Sequence, residues 1–464
     1  MKKKLFGTDG IRGLANEFPM TGEVAMAAGR AIARVLTSRP KAAHPLEIDH
    51  FKPIRKPRIV LGKDTRISGY MLEQAIASGI CSMGADVMLI GPLPTPGVAF
   101  VTQNMRADAG VMISASHNPY HDNGIKIFSS DGYKLPDEME MEIERLIFSK
   151  ELEQDLPTAD LVGKTFRIED VHARYLVFLK SLFSRDLDLM GIRILLDCAN
   201  GAAYKVAPLV FEELGAEVIK IGIHPDGLNI NHQCGALFPE AISSLVMQYR
   251  ADIGISLDGD GDRCILSDEN GDIVNGDQIL GLCAIQMAKE GALHQNTIVT
   301  TPMSNIGLEL ALKKHGISMI RSQVGDRYVV ETLKKNALNL GGEPSGHIIF
   351  LDHATTGDGI VAALKVLEAM KRTKKPLSVL KNEIHLLPQV REDVRVVKKE
   401  ALENYPEIIK AIQTAEKNLK DEGRVFVRYS GTEQLVRVMV EGKNLKNIQK
   451  FAKMIAEKIE EHLN

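Results

Sequence analysis

Ile253-Gly254-Ile255-Ser256-Leu257 runs without a break into Asp258-Gly259-Asp260-Gly261-Asp262-Arg263. The first five residues are uncharged and read as a strand buried on both faces, and the next six read as a loop at its carboxyl end. Strands buried on both faces belong to parallel sheets covered by helices, where ligands bind beyond the strands' carboxyl ends. Working outward, short apolar runs recur at 58–61, 87–90, 111–113 and 192–196, with Ala/Leu/Glu-rich stretches between them. That alternation predicts βαβ units and an α/β class. The end of the chain differs. Segments 425–429 and 435–440 flank a Ser-Gly-Thr-Glu turn, and Leu445, Ile448, Phe451, Ile455 and Ile459 follow at helical spacing, which suggests a small α+β domain.

A length of 464 residues suits three or four domains. Hydrophobic residues at 44% and charged residues at 25% fit a globular chain with a real core. The 57 Lys and Arg residues face 60 Asp and Glu, a formal charge of −3, so no global positive field draws in nucleic acid or acidic lipid. There is no Trp, and aromatics make up only 5%, a poor supply for stacking bases. The five cysteines show no CxxC spacing and read as reduced thiols. The basic start meets Asp9 and Gly10 before an apolar segment can form, and no run approaches the ~18 apolar residues that span a bilayer. These features predict a soluble, cytoplasmic protein that acts on small molecules or protein partners, with no nucleic acid and no membrane among its partners. Segment 38–57, with four prolines and several basic residues, reads as an exposed loop, with a nucleic-acid patch as the sharper alternative.

Four loops carry the chemistry. In Asp258, Asp260 and Asp262, alternate carboxylates repel one another unless a divalent cation sits between them, and oxygen ligands favour a hard ion such as Mg²⁺. A calcium EF-hand fails because Arg263 stands where the sharp turn needs glycine; a solvated acidic turn is the plain alternative. Gly110-Val111-Met112-Ile113 delivers Ser114-Ala115-Ser116-His117-Asn118-Pro119 to a sheet edge, where Ser, Asn and Pro are also ordinary turn formers. Asp122-Asn123-Gly124-Ile125-Lys126 reads as a second turn, with Lys126 near enough in sequence to offset a phosphate on a serine. Gly341-Gly342-Glu343-Pro344-Ser345-Gly346-His347 could hydrogen-bond a polyol while His347 handles protons, or could be a plain Gly/Pro connection. Arg428-Tyr429-Ser430-Gly431-Thr432-Glu433, with Arg437 beyond it, offers a cradle for a phosphate dianion, or a hairpin with exposed arginines.

Taken in order, these loops resemble the α-D-phosphohexomutase superfamily, and the likeness covers nearly the whole chain. Phe6-Gly7-Thr8-Asp9-Gly10-Ile11-Arg12-Gly13, with segments 197–202, 225–231 and 324–328, points within it to bacterial members acting on glucosamine phosphates. The resemblance implies three related α/β domains with mixed, largely parallel sheets and a C-terminal α+β domain around a central cleft. Its divisions are a phosphoserine-loop domain at 1–168, a metal-binding domain at 169–272, a sugar-recognition domain at 273–387 and a phosphate-binding domain at 388–464. It makes Ser116 the phosphoryl carrier, and Asp258, Asp260, Asp262 and the phosphate on Ser116 the ligands of Mg²⁺, with Arg263 beside them. Arg12, Lys126 and His347 match positions for proton transfer or charge stabilisation. Glu343 and Ser345 match sugar-hydroxyl contacts, and Arg428, Ser430, Gly431, Thr432 and Arg437 match the pocket for the non-reacting phosphate.

The activity implied is an isomerase that moves phosphate from Ser116 to glucosamine 6-phosphate. The resulting glucosamine 1,6-bisphosphate, also the activator, turns around and returns its other phosphate, leaving glucosamine 1-phosphate for UDP-N-acetylglucosamine and cell-wall synthesis. A homodimer is compatible with the resemblance. Phosphoglucomutase or phosphomannomutase activity and a non-catalytic sugar-phosphate sensor are the alternatives; a sensor would be expected to lack the serine or an acid of the metal loop. Tyr429 and Gln434 depart from the family, which often has Pro there, and segment 38–57 is longer than usual.

Overall fold

The computed structural model describes residues 5–7, 9–37, 55–149, 151–154, 156–430 and 434–463. The 38–57 segment lies outside the described residues except at Arg55, Lys56 and Pro57, of which Arg55 is exposed. Four sheets follow one another along the chain. The first contains β1 (Phe6–Gly7), β2 (Gly10–Leu14), β3 (Arg58–Lys63), β4 (Asp86–Pro92), β5 (Ala109–Ile113), β6 (Asp122–Ser129) and β7 (Thr165–Arg167) in the order β1-β2-β6-β5-β3-β4-β7. The second orders β8 (Arg193–Asp197), β9 (Glu217–Ile221), β10 (Ile253–Leu257), β11 (Cys264–Asp268) and β12 (Ile273–Val274) as β12-β11-β10-β8-β9. The third orders β13 (Thr297–Thr300), β14 (Ser318–Arg321), β15 (Leu340–Gly342) and β16 (Ile348–Phe350) as β14-β13-β15-β16.

One plan underlies all three. In each, the first strand of a four-strand set pairs in parallel with the second and the third, and the fourth strand turns back antiparallel on the third. The connection between third and fourth strands is therefore the same structural position in every unit. It carries Ser116 in the first, the acidic loop in the second and Glu343 to His347 in the third. The apolar runs before these loops are buried throughout, as strands covered on both faces require.

The last unit is an antiparallel sheet of β17 (Gln389–Arg395), β18 (Gly423–Tyr429) and β19 (Leu435–Gly442), ordered β17-β19-β18. Its helices Pro406–Leu419 and Leu445–Leu463 bury Ile408, Ile448 and Ile455 against Val436, Val438 and Val440. One apolar cluster runs through the other three units, taking in Val60 and Met112, then Leu196 and Leu257, then Ile298 and Leu340. Asp122 to Lys126 is not a turn: it opens strand β6, whose Ile125, Ile127 and Phe128 are buried beside β5. The reversal occupies the residues before it, and β-branched residues with an aromatic favour the strand once a partner covers them. Among the described residues, no helix is long and apolar enough to cross a membrane.

Candidate active site

Ser116 follows β5 in a left-handed backbone conformation with φ +54°, and it is almost wholly buried. Two groups from elsewhere hold the loop there. Arg66 Nη2 donates to the carbonyls of Ser116 and Asn118, both at 2.8 Å, and Nη1 donates to that of Pro119. Asn231 Nδ2 donates to the same first two carbonyls at 2.9 and 3.0 Å. Behind them, Asp64 accepts from Arg66 Nε at 2.8 Å and from Ser114 Oγ at 2.6 Å, and Ser114 Oγ accepts the Ser116 N–H at 2.9 Å. The backbone is thus locked while the Ser116 hydroxyl is aimed outward, donating to Asp258 Oδ2 at 2.8 Å and lying 3.3 Å from His117 Nδ1. Burial, then the charges of Arg263 and Arg12, pull His117 down to about 4, so its ring is neutral at pH 7.

The acidic loop packs directly on this turn. A side chain at Gly259 would meet Asn231 Nδ2 and the Ser116 carbonyl at 2.7 Å, so only glycine allows the approach. Asp258, Asp260 and Asp262 are all buried and offer carboxylate oxygens within 4.8 Å of one another. Asp258 Oδ1 accepts the Arg263 N–H at 3.1 Å, and Asp260 Oδ2 accepts from Lys126 Nζ at 2.7 Å and from Thr95 Oγ1. Asp260 Oδ1 and Asp262 Oδ1 are buried without a hydrogen-bond partner. Orphaned buried carboxylate oxygens are costly, and an oxygen-only cluster that contains two of them fits a hard divalent cation. Burial, then Asp262 and Asp260, push Asp258 well up. Burial would raise Asp262 too, but Lys126 and then His347 outweigh it and hold its carboxyl well below the usual range.

Arg12, Ser116, Asp262, Arg263, Glu343 and His347 come together around one cavity of about 410 Å³, together with Asp9, His117 and Asp326. Lys126 lies against its wall, fully buried, with Nζ 2.7 Å from Asp260, 3.2 Å from Asp9 and 3.4 Å from Asp262. Burial opposes its charge, but these carboxylates prevail and raise its pKa well above normal. Arg12 pairs with Asp9. His347 accepts the Gly357 N–H on Nε2 at 3.1 Å, with Nδ1 3.7 Å from Asp262 and Nε2 3.6 Å from Asp326. That contact favours the Nδ1-protonated tautomer. Burial disfavours a charged ring, yet Asp262 foremost raises its pKa. Ser345 Oγ lies 3.4 Å from Glu343 Oε2 but lines an adjoining cavity of about 310 Å³ that shares His117 and Arg263 with the first.

Arg428 and Arg437 face each other across β18 and β19 and line a separate cavity of about 280 Å³ with Arg391 and Met303. Three guanidiniums at one cavity suit an anion: burial, then Arg437 and Arg391, lower the Arg428 pKa. Ser430 is buried beside them in sequence, its carbonyl accepting from Lys399 Nζ at 2.8 Å. Gly431 and Thr432 lie outside the described residues.

Several residues of the site have no role legible in the sequence. Asp9, Asn231 and Asp326 lie in segments that carry the family resemblance, and that placement is the signal available for them. Arg66, Thr95 and Lys134 have none: each acts on a loop far away in sequence. Lys134 Nζ bonds both Asp9 and Asp326, joining the first unit to the third.

Residues 3–154, 173–271 and 275–386 match phosphoglucomutase/phosphomannomutase alpha/beta/alpha domains I, II and III, and residues 393–458 match the C-terminal domain of the same family. The chain is 56% identical to a phosphoglucosamine mutase of Syntrophotalea carbinolica, covering 100% of this chain and 98% of the relative. It is 57% identical to one from Citrifermentans bemidjiense, over 98% and 97%. Among solved structures, a phosphoglucomutase/phosphomannomutase family protein from Burkholderia thailandensis superposes with TM-score 0.76 at 21% identity, covering 98% of each chain. Aspergillus fumigatus N-acetylphosphoglucosamine mutase, solved with GlcNAc-6P and magnesium, gives TM-score 0.64 at 18% identity over 100% of this chain and 96% of that one. At these identities the two structures attest the shared fold.

Proposed function

The chain belongs to the phosphoglucosamine mutase family of the α-D-phosphohexomutases, and from that premise we propose how its residues interconvert glucosamine 6-phosphate and glucosamine 1-phosphate. The observation that carries the reading is the Ser116 hydroxyl, 2.8 Å from Asp258 and opening on a cavity lined by Arg12, Arg263, Glu343 and His347. Ser116 carries a phosphoryl group. In the forward step, the bond from Ser116 Oγ to phosphorus breaks and one from a sugar hydroxyl oxygen forms, giving the 1,6-bisphosphate. After the intermediate turns around, its other phosphate returns to Ser116. Glucosamine 1,6-bisphosphate is thus both intermediate and the activator that reloads the serine.

Asp258, Asp260 and Asp262 would hold Mg²⁺, which when bound offsets charge on the phosphoryl group in transfer. Arg12 and Arg263 add positive charge at the same wall, and preformed charge of this kind supplies much of the catalysis in phosphoryl transfer. Lys126, kept protonated by three carboxylates, donates hydrogen bonds and supplies fixed positive charge, and it moves no proton. His347, with Nδ1–H held toward Asp262, is the group assigned to the sugar hydroxyl's proton, which the ring takes on Nε2 in exchange for its Gly357 N–H contact. Glu343 and Ser345 read sugar hydroxyls. Arg428, Arg437, Ser430, Gly431 and Thr432 grip the phosphate that is not reacting. The corresponding divisions of the chain are 1–168, 169–272, 273–387 and 388–464. Identity above one half over the full length supports the amino-sugar substrate over glucose or mannose phosphates.

The test is to incubate the protein with glucosamine 1,6-bisphosphate, measure intact mass and map the phosphate by fragmentation. One phosphoryl group on Ser116 is expected. A phosphoryl group on another residue in a fully active enzyme would refute the assignment.

A further inference from the structure

We propose that Thr95 is a positioning residue that sets how tightly the acidic loop holds its divalent cation; the proposal rests on the reading of Asp258, Asp260 and Asp262 as the metal ligands. Thr95 is the first residue of helix Thr95–Asn104, which belongs to the first sheet, whereas the acidic loop belongs to the second. The residue before it is Pro94, which supplies no side-chain cap. Asp260 takes the cap's place from across the unit boundary. The Thr95 N–H donates to the Asp260 carbonyl at 2.8 Å, and Thr95 Oγ1 donates to Asp260 Oδ2.

Both residues are fully buried, so this pairing is shielded from water. Lys126 Nζ donates to the same Oδ2. Two donors on one oxygen fix the plane of the carboxylate and leave Oδ1 buried without a partner. That free oxygen is the one a cation would take. Lys126 cannot hold the plane alone, because its ammonium is shared with Asp9 and Asp262. The main chain is clamped as well: the Gly359 N–H, at the start of helix Gly359–Thr373 in the third unit, donates to the Gly261 carbonyl at 3.0 Å. The loop backbone therefore survives loss of the Thr95 hydroxyl, whereas the aim of Asp260 does not. Partners of this kind orient metal-ligating groups, and their loss typically weakens binding ~10- to 100-fold.

The experiment is calorimetric titration of the full-length, dephosphorylated protein with Mn²⁺ and with Mg²⁺, without substrate. Thr95→Val keeps the shape and the N–H but removes the hydroxyl; Thr95→Ala serves if the valine variant does not fold. Thr95→Ser restores the hydroxyl, and Asp260→Asn is the control for the site. Cation affinity should fall about tenfold or more in Thr95→Val, return to within about twofold in Thr95→Ser, and vanish in Asp260→Asn. The kcat of Thr95→Val should recover at saturating cation. Wild-type affinity in Thr95→Val beside loss in Asp260→Asn would overturn the proposal and leave the metal reading standing. Weakening that Thr95→Ser does not rescue would mark a merely structural effect and overturn it too. Unchanged binding in Asp260→Asn would sink the metal reading and the proposal together.

Discussion

A serine held at φ +54° pays roughly 1–2 kcal/mol for a backbone that glycine would adopt freely. Arg66 and Asn231 hold the Ser116 carbonyl in place, so the strain is offset by groups that do not depend on the hydroxyl. Ser116→Ala should therefore keep its melting temperature within a few degrees while activity falls by about 10³-fold or more. Turnover like wild type in that variant would remove Ser116 from the mechanism. On the proposed mechanism Arg428 makes a different kind of contribution, since it would grip a group that takes no part in bond making. Losing one charge-assisted contact of ~1.5–3 kcal/mol should raise KM roughly 10- to 100-fold and increase dependence on added glucosamine 1,6-bisphosphate. Steady-state kinetics with and without the bisphosphate would check this; an unchanged KM would mean that the Arg391, Arg428 and Arg437 cavity is not the phosphate cradle.

The elements explain which of these residues could be read in advance. Ser116, the three aspartates and Glu343 to His347 all follow an apolar run directly, so a strand-then-loop pattern in one dimension exposes them. Arg66 sits 50 residues from the carbonyl it holds, and nothing near it in sequence announces that contact. The repeat shows through the family resemblance but not as a fixed period in the sequence, for a related reason. The three units share strand order and the place of the functional turn, while their side chains differ with the chemistry of each turn. Strand β6 reads as a turn in the sequence because Asp122, Asn123 and Gly124 are turn formers; pairing with β5 overrides them. Arg66→Ala would leave Asp64 buried beside no cation and should destabilise the first unit by ~3–5 kcal/mol, seen as an early transition in thermal unfolding. At the start of helix Gly276–Lys289, burial above all raises Asp277 to about 6 from 3.8. A carboxyl that keeps its proton longer when folded favours the native state at low pH, and this contribution is lost as pH rises through about 4 to 6. Asp277→Asn should flatten that part of the stability–pH curve by up to ~3 kcal/mol, and chemical denaturation at pH 4 and 7 would measure it. A slope identical to wild type would show that Asp277 does not titrate in that window.

Across the whole molecule, ion pairs join the first and third units beside the cavity. Arg327 forks onto Asp137 and Glu140, and Lys134 binds Asp9 on one side and Asp326 on the other. The second link matters more to the reaction, because both of its carboxylates line the main cavity. Asp9 also touches Arg12 and Lys126, and Asp326 lies 3.6 Å from His347, so one ammonium ties together the charged groups of two walls. A bisphosphate that must turn around without escaping needs those walls to stay in register. Lys134→Met keeps the length of the side chain and removes its charge, leaving two carboxylates facing each other across the gap. The side chain is 12% exposed, so water relieves part of the repulsion and ~1–3 kcal/mol is the fitting scale. The variant should fold, lose kcat by about 5- to 100-fold and release more of the 1,6-bisphosphate into solution. Lys134→Arg, which restores the charge with a different shape, should recover part of the loss. Quench-flow sampling of free bisphosphate during turnover separates the outcomes: a kcat that falls with no extra release would place Lys134 in the chemical step alone, and wild-type values for both would mean that the two walls keep their register without it.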